Sequence, residues 1–125
     1  MLKQVIVIRT DLGMDVGKMV SQGAHVAVRA LLVRDATTDR LVLDHCPDVD
    51  GWLANNETKI VVEVKSEEKL LNVYQKAMDA GLRCSIVRDI TLQKFTAVAI
   101  GPAPEEMIDP ITKRLRLLKF KGDQC

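Results

Sequence analysis

Residues 5–18, VIVIRTDLGMDVGK, contain a strand, a loop and the start of a helix in direct succession. The β-branched run over 5–8 lacks the alternation of a half-exposed strand, which is typical of a strand covered on both faces. Turn-forming residues follow over 10–15, and a helical pattern then runs from about residue 16 to residue 33. This succession predicts an α/β fold.

The rest of the chain repeats the alternation. Further elements are predicted as a strand over 59–64, a helix from Ser66 to Gly81, strands over 84–87 and 96–100, and a short helix from about Pro104. Gly101 and Pro102 are expected to end the last strand, and the short link before it makes the last two strands antiparallel neighbours. We therefore predict a three-layer α/β/α fold, with a small mixed sheet of about four strands and helices on both faces.

Residues 34–57 form the least regular part of the pattern. They are rich in aspartate and are punctuated by Pro47 and Gly51, which predicts a long, exposed connection with a short helix near Trp52. Residues 34–50 are interpreted as an acidic insertion.

Composition limits the classes of protein that the chain can belong to. Its 125 residues, 47% of them apolar, predict one domain over 1–125, and 18 basic against 17 acidic residues give no global attraction to a polyanion. The cysteines at 46, 84 and 125 lack the spacing of a zinc site or disulfide framework, which favours reduced thiols in the cytoplasm. The apolar runs are too short for a membrane span, and no leader segment is expected.

Four polar residues share one face of the first predicted helix: Lys18, Gln22, His25 and Arg29. One interpretation is the solvated stripe of an amphipathic helix. The other is a binding site, because Lys18 lies in the first turn after a strand, where α/β proteins bind anions. Asp89 would reach the same rim if its strand runs parallel to the first; otherwise it is a turn residue.

A basic segment lies near the C-terminus and consists of Lys113, Arg114, Arg116, Lys119 and Lys121. Its cations are suited to contacts with an RNA backbone. A solvated chain edge explains the same pattern equally well.

Several segments together carry a family resemblance: KQVIVIRTDL (3–12), GKMVSQGAH (17–25), GLRCSIVRD (81–89), AIGPAP (99–104) and residues 108–118. They resemble the archaeal and eukaryotic type of peptidyl-tRNA hydrolase. The resemblance implies hydrolysis of the ester between peptide and tRNA, with peptidyl-tRNA as the partner and no metal or organic cofactor. A cytoplasmic location and a homodimer are further expectations.

The resemblance also implies the site residues. The implied catalytic residues are Lys18, Gln22, His25, Asp89 and, as an approximate counterpart, Thr91. The implied tRNA-binding residues are Lys18, Arg88, Arg114 and Arg116. Ester hydrolysis needs a positioned water and donors near the developing oxyanion. Asp89 is therefore expected to orient the water while Lys18 and Gln22 stabilise the charge.

Two departures from the family pattern keep an alternative open. The segment after Asp89 is shorter than the family's glycine-rich loop, so that Thr91 and Gln93 are only approximate matches. The loop before the first helix has Gly13 and Val16 where the family usually has lysines. The alternative is a non-catalytic relative that binds tRNA or a protein.

Overall fold

The computed structural model describes residues 1–120. Its elements are, in chain order, β1 (Leu2–Arg9), α1 (Val16–Arg29), β2 (Leu32–Arg34), β3 (Leu41–Leu43), α2 (Pro47–Ala54), β4 (Lys59–Val64), α3 (Glu67–Asp79), β5 (Cys84–Asp89), β6 (Lys94–Pro104), α4 (Glu105–Thr112) and β7 (Arg116–Leu117). The predicted order of strands and helices is confirmed, and β2, β3 and β7 are added to it.

The main sheet has five strands in the order β5-β6-β1-β4-β7. β1 and β4 are parallel, whereas β6 runs antiparallel to both β1 and β5, so the predicted mixed sheet and the antiparallel β5–β6 pair are confirmed. The predicted number of about four strands is too low. The fifth strand, β7, pairs Leu117 with Val62 over only two residues, which is too short to leave a periodic pattern in the sequence.

Helices cover both faces of the sheet, as predicted. On one face, α1 packs Val26 and Ala27 against Ile6 and Ile8 of β1. On the other face, helices α3 and α4 pack against β1, β4 and β6 through a second core, which includes Val5, Val7, Val62, Val98, Ile100, Leu70, Val73 and Ile108. β1 is therefore buried on both faces, which explains its run of apolar residues without alternation.

The predicted length of the first helix is wrong. α1 ends at Arg29, and residues 32–43 instead form the β2–β3 hairpin, so the connection over 34–57 is partly structured. A residue far away in sequence contacts this end: the Arg83 guanidinium donates to the carbonyl oxygen of Ala30, 3.1 Å away, and also binds Asp44. This side chain satisfies a carbonyl at the helix end and ties the hairpin to it. The short helix near Trp52 is confirmed as α2.

The predicted end of the last strand at Gly101 is also wrong. β6 continues to Pro104 because residues 103 and 104 still pair with Lys3 and Leu2 of β1. Gly101 has φ +95°, and a Cβ atom there would lie 2.5 Å from the carbonyl oxygen of Lys3. Glycine thus allows the strand to pass close to β1 rather than ending it. α4 begins directly after Pro104, as predicted.

Two residues considered in the sequence, Lys121 and Cys125, lie outside the described part of the chain. Among residues 1–120, no helix has the length and apolar character needed to cross a membrane.

Candidate active site

The candidate site lies where β1 and β5 end and α1 begins. β5 and β1 are both antiparallel to β6, so they point in the same direction and their carboxyl ends lie at one rim of the sheet. Asp89 is the last residue of β5, and Lys18 is in the first turn of α1. The prediction that Asp89 reaches the rim beside Lys18 required β5 to run in the same direction as β1, and it does.

An ion pair joins the two residues. The Asp15 side chain caps α1 by accepting a hydrogen bond from the Lys18 backbone N–H at 2.9 Å. From this first turn, the Lys18 ammonium reaches the Asp89 carboxylate, with 2.8 Å between Nζ and Oδ1. The Asp89 side chain is only 9% exposed, whereas that of Lys18 is 33% exposed. A buried anion thus fixes a cation that remains accessible to a ligand.

Gln22 extends this pair into a cluster. Gln22 follows Lys18 by one turn of α1 and is buried. The Nε2 atom of Gln22 donates to Asp89 Oδ1 at 3.3 Å. Its Oε1 accepts a hydrogen bond from the hydroxyl of Thr96, which is also buried. We refer to Lys18, Gln22, Asp89 and Thr96 as the polar cluster.

A β-bulge directs Thr96 into the polar cluster. Val87 pairs with Ala97, but the next residue of β5, Arg88, pairs with Phe95, so Thr96 is the extra residue on β6. Phe95 packs in the core beside α3 and Ala97 in the core beside α1. The bulge turns Thr96 toward α1 as well, which strict alternation would not do.

The Asp89 carboxylate is held in its charged form. Its Oδ2 accepts the backbone N–H of Leu92 at 2.8 Å, so the short turn after β5 folds back on it. The hydrogen bond from Lys18, followed by that from the Leu92 amide, lowers the pKa of Asp89 below its usual 3.8, although burial opposes the shift. Asp89 is therefore a carboxylate at neutral pH and binds protons weakly.

The lowered pKa predicts how the site responds to acid. A depressed folded-state pKa contributes stability that is fully present above the ordinary value of 3.8 and is lost as the pH falls through the folded value. We therefore expect the Lys18–Asp89 pair to persist at pH 5. NMR titration of the Asp89 side-chain carboxyl carbon measures this, and a midpoint at or above 3.8 would contradict it.

The last two of the four polar residues on α1 face a neighbouring cleft. His25 and Arg29 line a cleft of about 480 Å³ along β5, here called the β5 cleft, whose remaining lining residues are Tyr74, Ser85, Ile86, Val87, Arg88 and Ile90. Among the described residues, no hydrogen bond or ion pair joins His25 to the polar cluster. Arg88 is exposed and donates to the carbonyl of Gln93 at 2.9 Å. The roles of His25 and Arg88 stay predictions.

Thr91 and Thr96 occupy different environments. Thr91 is exposed in the turn between β5 and β6, whereas the threonine that contacts Gln22 is Thr96. Sequence reasoning missed Thr96. The only feature of the sequence that distinguished Thr96 was its position as a polar residue directly before the apolar run over 97–100. The catalytic role predicted for Thr91 stays a prediction.

Arg9 is a second residue that the sequence did not single out. It is buried at the end of β1, where its guanidinium donates to both Asp11 oxygens at 3.1 and 2.8 Å and to the Phe95 carbonyl at 3.1 Å. The hydrogen bond from Arg9 lowers the pKa of Asp11. These contacts fasten the start of the β1–α1 loop to β6 and so support the position of Lys18.

Two of the predicted tRNA-binding residues, Arg88 and Arg116, lie at opposite edges of the sheet. Arg88 is on β5, at one edge, whereas Arg116 is on β7, at the other, and pairs in register with Glu63. Four strand spacings separate these edges, which corresponds to about 19 Å. Arg114 and Arg116 are exposed, so both remain available to a ligand. Among residues 1–120, no group of His, Cys, Asp and Glu side chains is arranged to hold a metal ion.

Comparisons with known proteins identify the family of the chain. A family model described as Peptidyl-tRNA hydrolase PTH2 matches residues 2–118. A protein named peptidyl-tRNA hydrolase from Methanocaldococcus jannaschii is 45% identical over 122 residues, covering 94% of this chain and 100% of the relative. A protein of the same name from Sulfolobus acidocaldarius is 38% identical with the same coverage. The chain belongs to the PTH2 family of peptidyl-tRNA hydrolases.

Proposed function

We propose that this chain hydrolyses the ester bond between a peptide and the terminal ribose of tRNA, and that the polar cluster is its reaction centre. The observation that carries the proposal is the accessible Lys18 ammonium held 2.8 Å from the buried Asp89 carboxylate, beside the Gln22 amide. The family and the names of the relatives support the same reaction. They favour it over a relative that only binds tRNA or protein.

The hydrogen-bond donors of the cluster are suited to a developing oxyanion. A lysine ammonium has three N–H groups and a glutamine amide has two. Lys18 and Gln22 each direct one donor to Asp89, which leaves each with a further N–H for a ligand. When water attacks the ester carbonyl carbon, these donors stabilise the negative charge on the carbonyl oxygen.

Asp89 orients the reactants in this scheme. Because its pKa is lowered, it is a weak proton acceptor, and its proposed task is to hold Lys18 and to position the attacking water through Oδ2. The water oxygen bonds to the carbonyl carbon and the bond to the ribose oxygen breaks. One water proton ends on the ribose oxygen and the other leaves to solvent, so that the products are the peptide carboxylate and deacylated tRNA.

The direct test is turnover. Purified protein is mixed with peptidyl-tRNA, and deacylated tRNA is measured over time, with and without EDTA because the scheme uses no metal. Catalytic release of tRNA in both conditions is expected. Folded protein that binds peptidyl-tRNA without releasing the peptide would instead identify a binding relative.

Thr96 is expected to act as a positioning residue. Thr96→Val removes the hydroxyl that fixes the Gln22 amide while keeping the side-chain shape, so kcat should fall about tenfold with little change in KM, since small misplacements at a reaction centre are costly. Steady-state kinetics measure both constants. Thr112→Val is the matched control, because Thr112 is also buried but bonds only its own helix, at Ile108. An equal decrease of kcat in the two variants would show that Thr96 acts only through the stability of the fold.

The predicted tRNA contacts make binding sensitive to salt. Each phosphate that a cation neutralises adds about 0.7 to 0.9 to the log–log slope of affinity against salt concentration. Replacing Arg114 and Arg116 together by Ala should lower this slope by about one to two, and Arg88→Ala by about one. Filter binding of tRNA between low and physiological salt measures the slopes.

A matched double variant controls for net charge. Arg34 and Arg40 lie on or beside the β2–β3 hairpin and are exposed, and their replacement by Ala removes the same two charges. This variant should leave the slope near that of the wild type. A slope that changes equally in both double variants would leave no specific role for Arg114 and Arg116.

The proposed assembly is a homodimer in the cytoplasm. An apolar groove between α1 and β4 is lined by Ile8, Met19, Val20, Val61 and Leu118, among others, and Val20 is 65% exposed. Such a patch can bury itself against its own copy in a two-fold contact. Sedimentation equilibrium measures the oligomeric state of the protein. The free thiols of Cys46 and Cys84 fit a reducing compartment.

A further inference from the structure

The outer edge of β5 carries backbone groups that point away from the sheet. β5 stands at one end of the strand order among the described residues. The N–H of Gly101 donates to the carbonyl of Arg83 at 2.7 Å, so residue 83 directs its backbone groups toward β6. Antiparallel pairing alternates, and the backbone N–H and C=O of Ile86 therefore face outward.

This edge forms the floor of the β5 cleft. His25 and Arg29 of α1 stand on one side of the strand and Tyr74 of α3 on the other, and the cleft has a volume of about 480 Å³. The strand edge is thus flanked by two helices from opposite faces of the sheet. An extended chain fits such a channel and can pair with its floor.

The β5 cleft and the polar cluster lie along the same two elements, β5 and α1. β5 ends at Asp89, and on α1 His25 follows Gln22 by one turn. Ile86 and Asp89 are three residues apart, or about 10 Å along a strand. A substrate whose carbonyl carbon lies beside Lys18 and Asp89 can therefore extend its peptide along β5.

We propose that the peptide part of the substrate binds as an added β-strand on the outer edge of β5. The inference rests on the proposed function, because it places the ester carbonyl at the polar cluster. The peptide's C-terminal end then lies at Asp89 and its N-terminal end toward Cys84, so the added strand runs parallel to β5. Recognition through the main chain suits a substrate whose peptide sequence varies, since every peptide offers the same backbone groups.

A substrate series tests this pairing on the unaltered protein. The same tRNA is charged with either a single N-acetylated residue or a peptide of four residues. In further substrates, the backbone nitrogen of each residue of the four-residue peptide is methylated, one residue at a time. Because alternate residues of a strand face its neighbour, methylation at alternate positions should lower kcat/KM by about three- to tenfold, with smaller effects between them. The longer peptide should also have the lower KM.

A variant of the strand edge gives a second readout. Ile86→Pro removes the outward N–H, and proline is tolerated on an edge strand where that N–H makes no ladder bond. Ile86→Val is the matched control, because it also trims the partly buried side chain but keeps the N–H. The Pro variant should show a KM about three- to tenfold above that of the Val variant for the four-residue substrate, and a smaller ratio for the single-residue substrate.

The outcomes separate the inference from the proposed function. Hydrolysis of all substrates without dependence on length or alternate methylation overturns the added strand while the hydrolase assignment stands. Failure to hydrolyse any substrate overturns the hydrolase assignment itself. If Ile86→Pro weakens binding of deacylated tRNA as much as that of peptidyl-tRNA, the β5 cleft holds RNA and the inference is also wrong.

Discussion

Replacing Lys18 by Ala is expected to lower kcat/KM for peptidyl-tRNA by about 100-fold, and by at least about tenfold, without unfolding the protein. The ammonium is the cation nearest the buried carboxylate and carries donors that Asp89 does not use. The variant leaves Asp89 with its hydrogen bonds from Gln22 and Leu92, so the carboxylate is not stranded. Kinetics together with circular dichroism test this expectation.

Lys76→Ala is the matched control for this variant. Lys76 is an exposed lysine on α3, which covers the sheet face opposite α1, so its loss changes the net charge equally without touching the polar cluster. Its kcat/KM should remain near the wild-type value. A Lys18→Ala protein with native circular dichroism and the full wild-type rate would show that the polar cluster is not the reaction centre.

Replacing Asp89 by Asn should separate chemistry from binding. The amide keeps the shape of the side chain but removes the charge that holds Lys18, so we expect the rate to fall about 100-fold. Affinity for tRNA should hold or increase, because the variant removes one negative charge that would repel the phosphates of a tRNA bound as proposed. Single-turnover hydrolysis and filter binding measure the two effects separately.

The control for Asp89 is Asp79→Asn. Asp79 ends α3, is exposed, and bonds only the Gln75 amide at 2.8 Å, so the same change of charge occurs away from the rim. Rate and affinity should both stay near the wild-type values there. If Asp89→Asn lost affinity in proportion to rate, Asp89 would be a binding residue, and the water-orienting role would have to be assigned elsewhere.

Local patterns in the sequence were sufficient for much of the fold. The apolar run of β1 predicts a strand buried on both faces, because a strand covered on each side cannot alternate. Ser66 accepts the Lys69 N–H at 3.1 Å and Gly81 has φ +71°, so the predicted start and end of α3 are confirmed by the chemistry that suggested them. Each of these signals acts over a few neighbouring residues.

The candidate site was predicted in part for the same reason. Helical spacing placed Lys18 and Gln22 on one face, and the direction of β5 brought Asp89 to them. The same spacing also grouped His25 with them, although in the structure His25 lines the β5 cleft. Helical periodicity identifies residues that share one face of a helix. It does not show which parts of the sheet each of these residues contacts.

Only the tertiary structure decided the rest, because long-range pairing controls it. Arg83, the residue before β5, donates to the Ala30 carbonyl at the end of α1, more than 50 residues earlier, and a contact of this range leaves no local signal that the helix stops before residue 33. β7 is defined only by the pairing of its two residues with β4, which is distant in sequence. Thr96 joins the polar cluster because the β5–β6 register slips by one residue, and such a slip depends on both strands at once. By itself the sequence determined most of the elements and indicated Lys18, Gln22 and Asp89; the pairing of strands determined that Thr96 joins them.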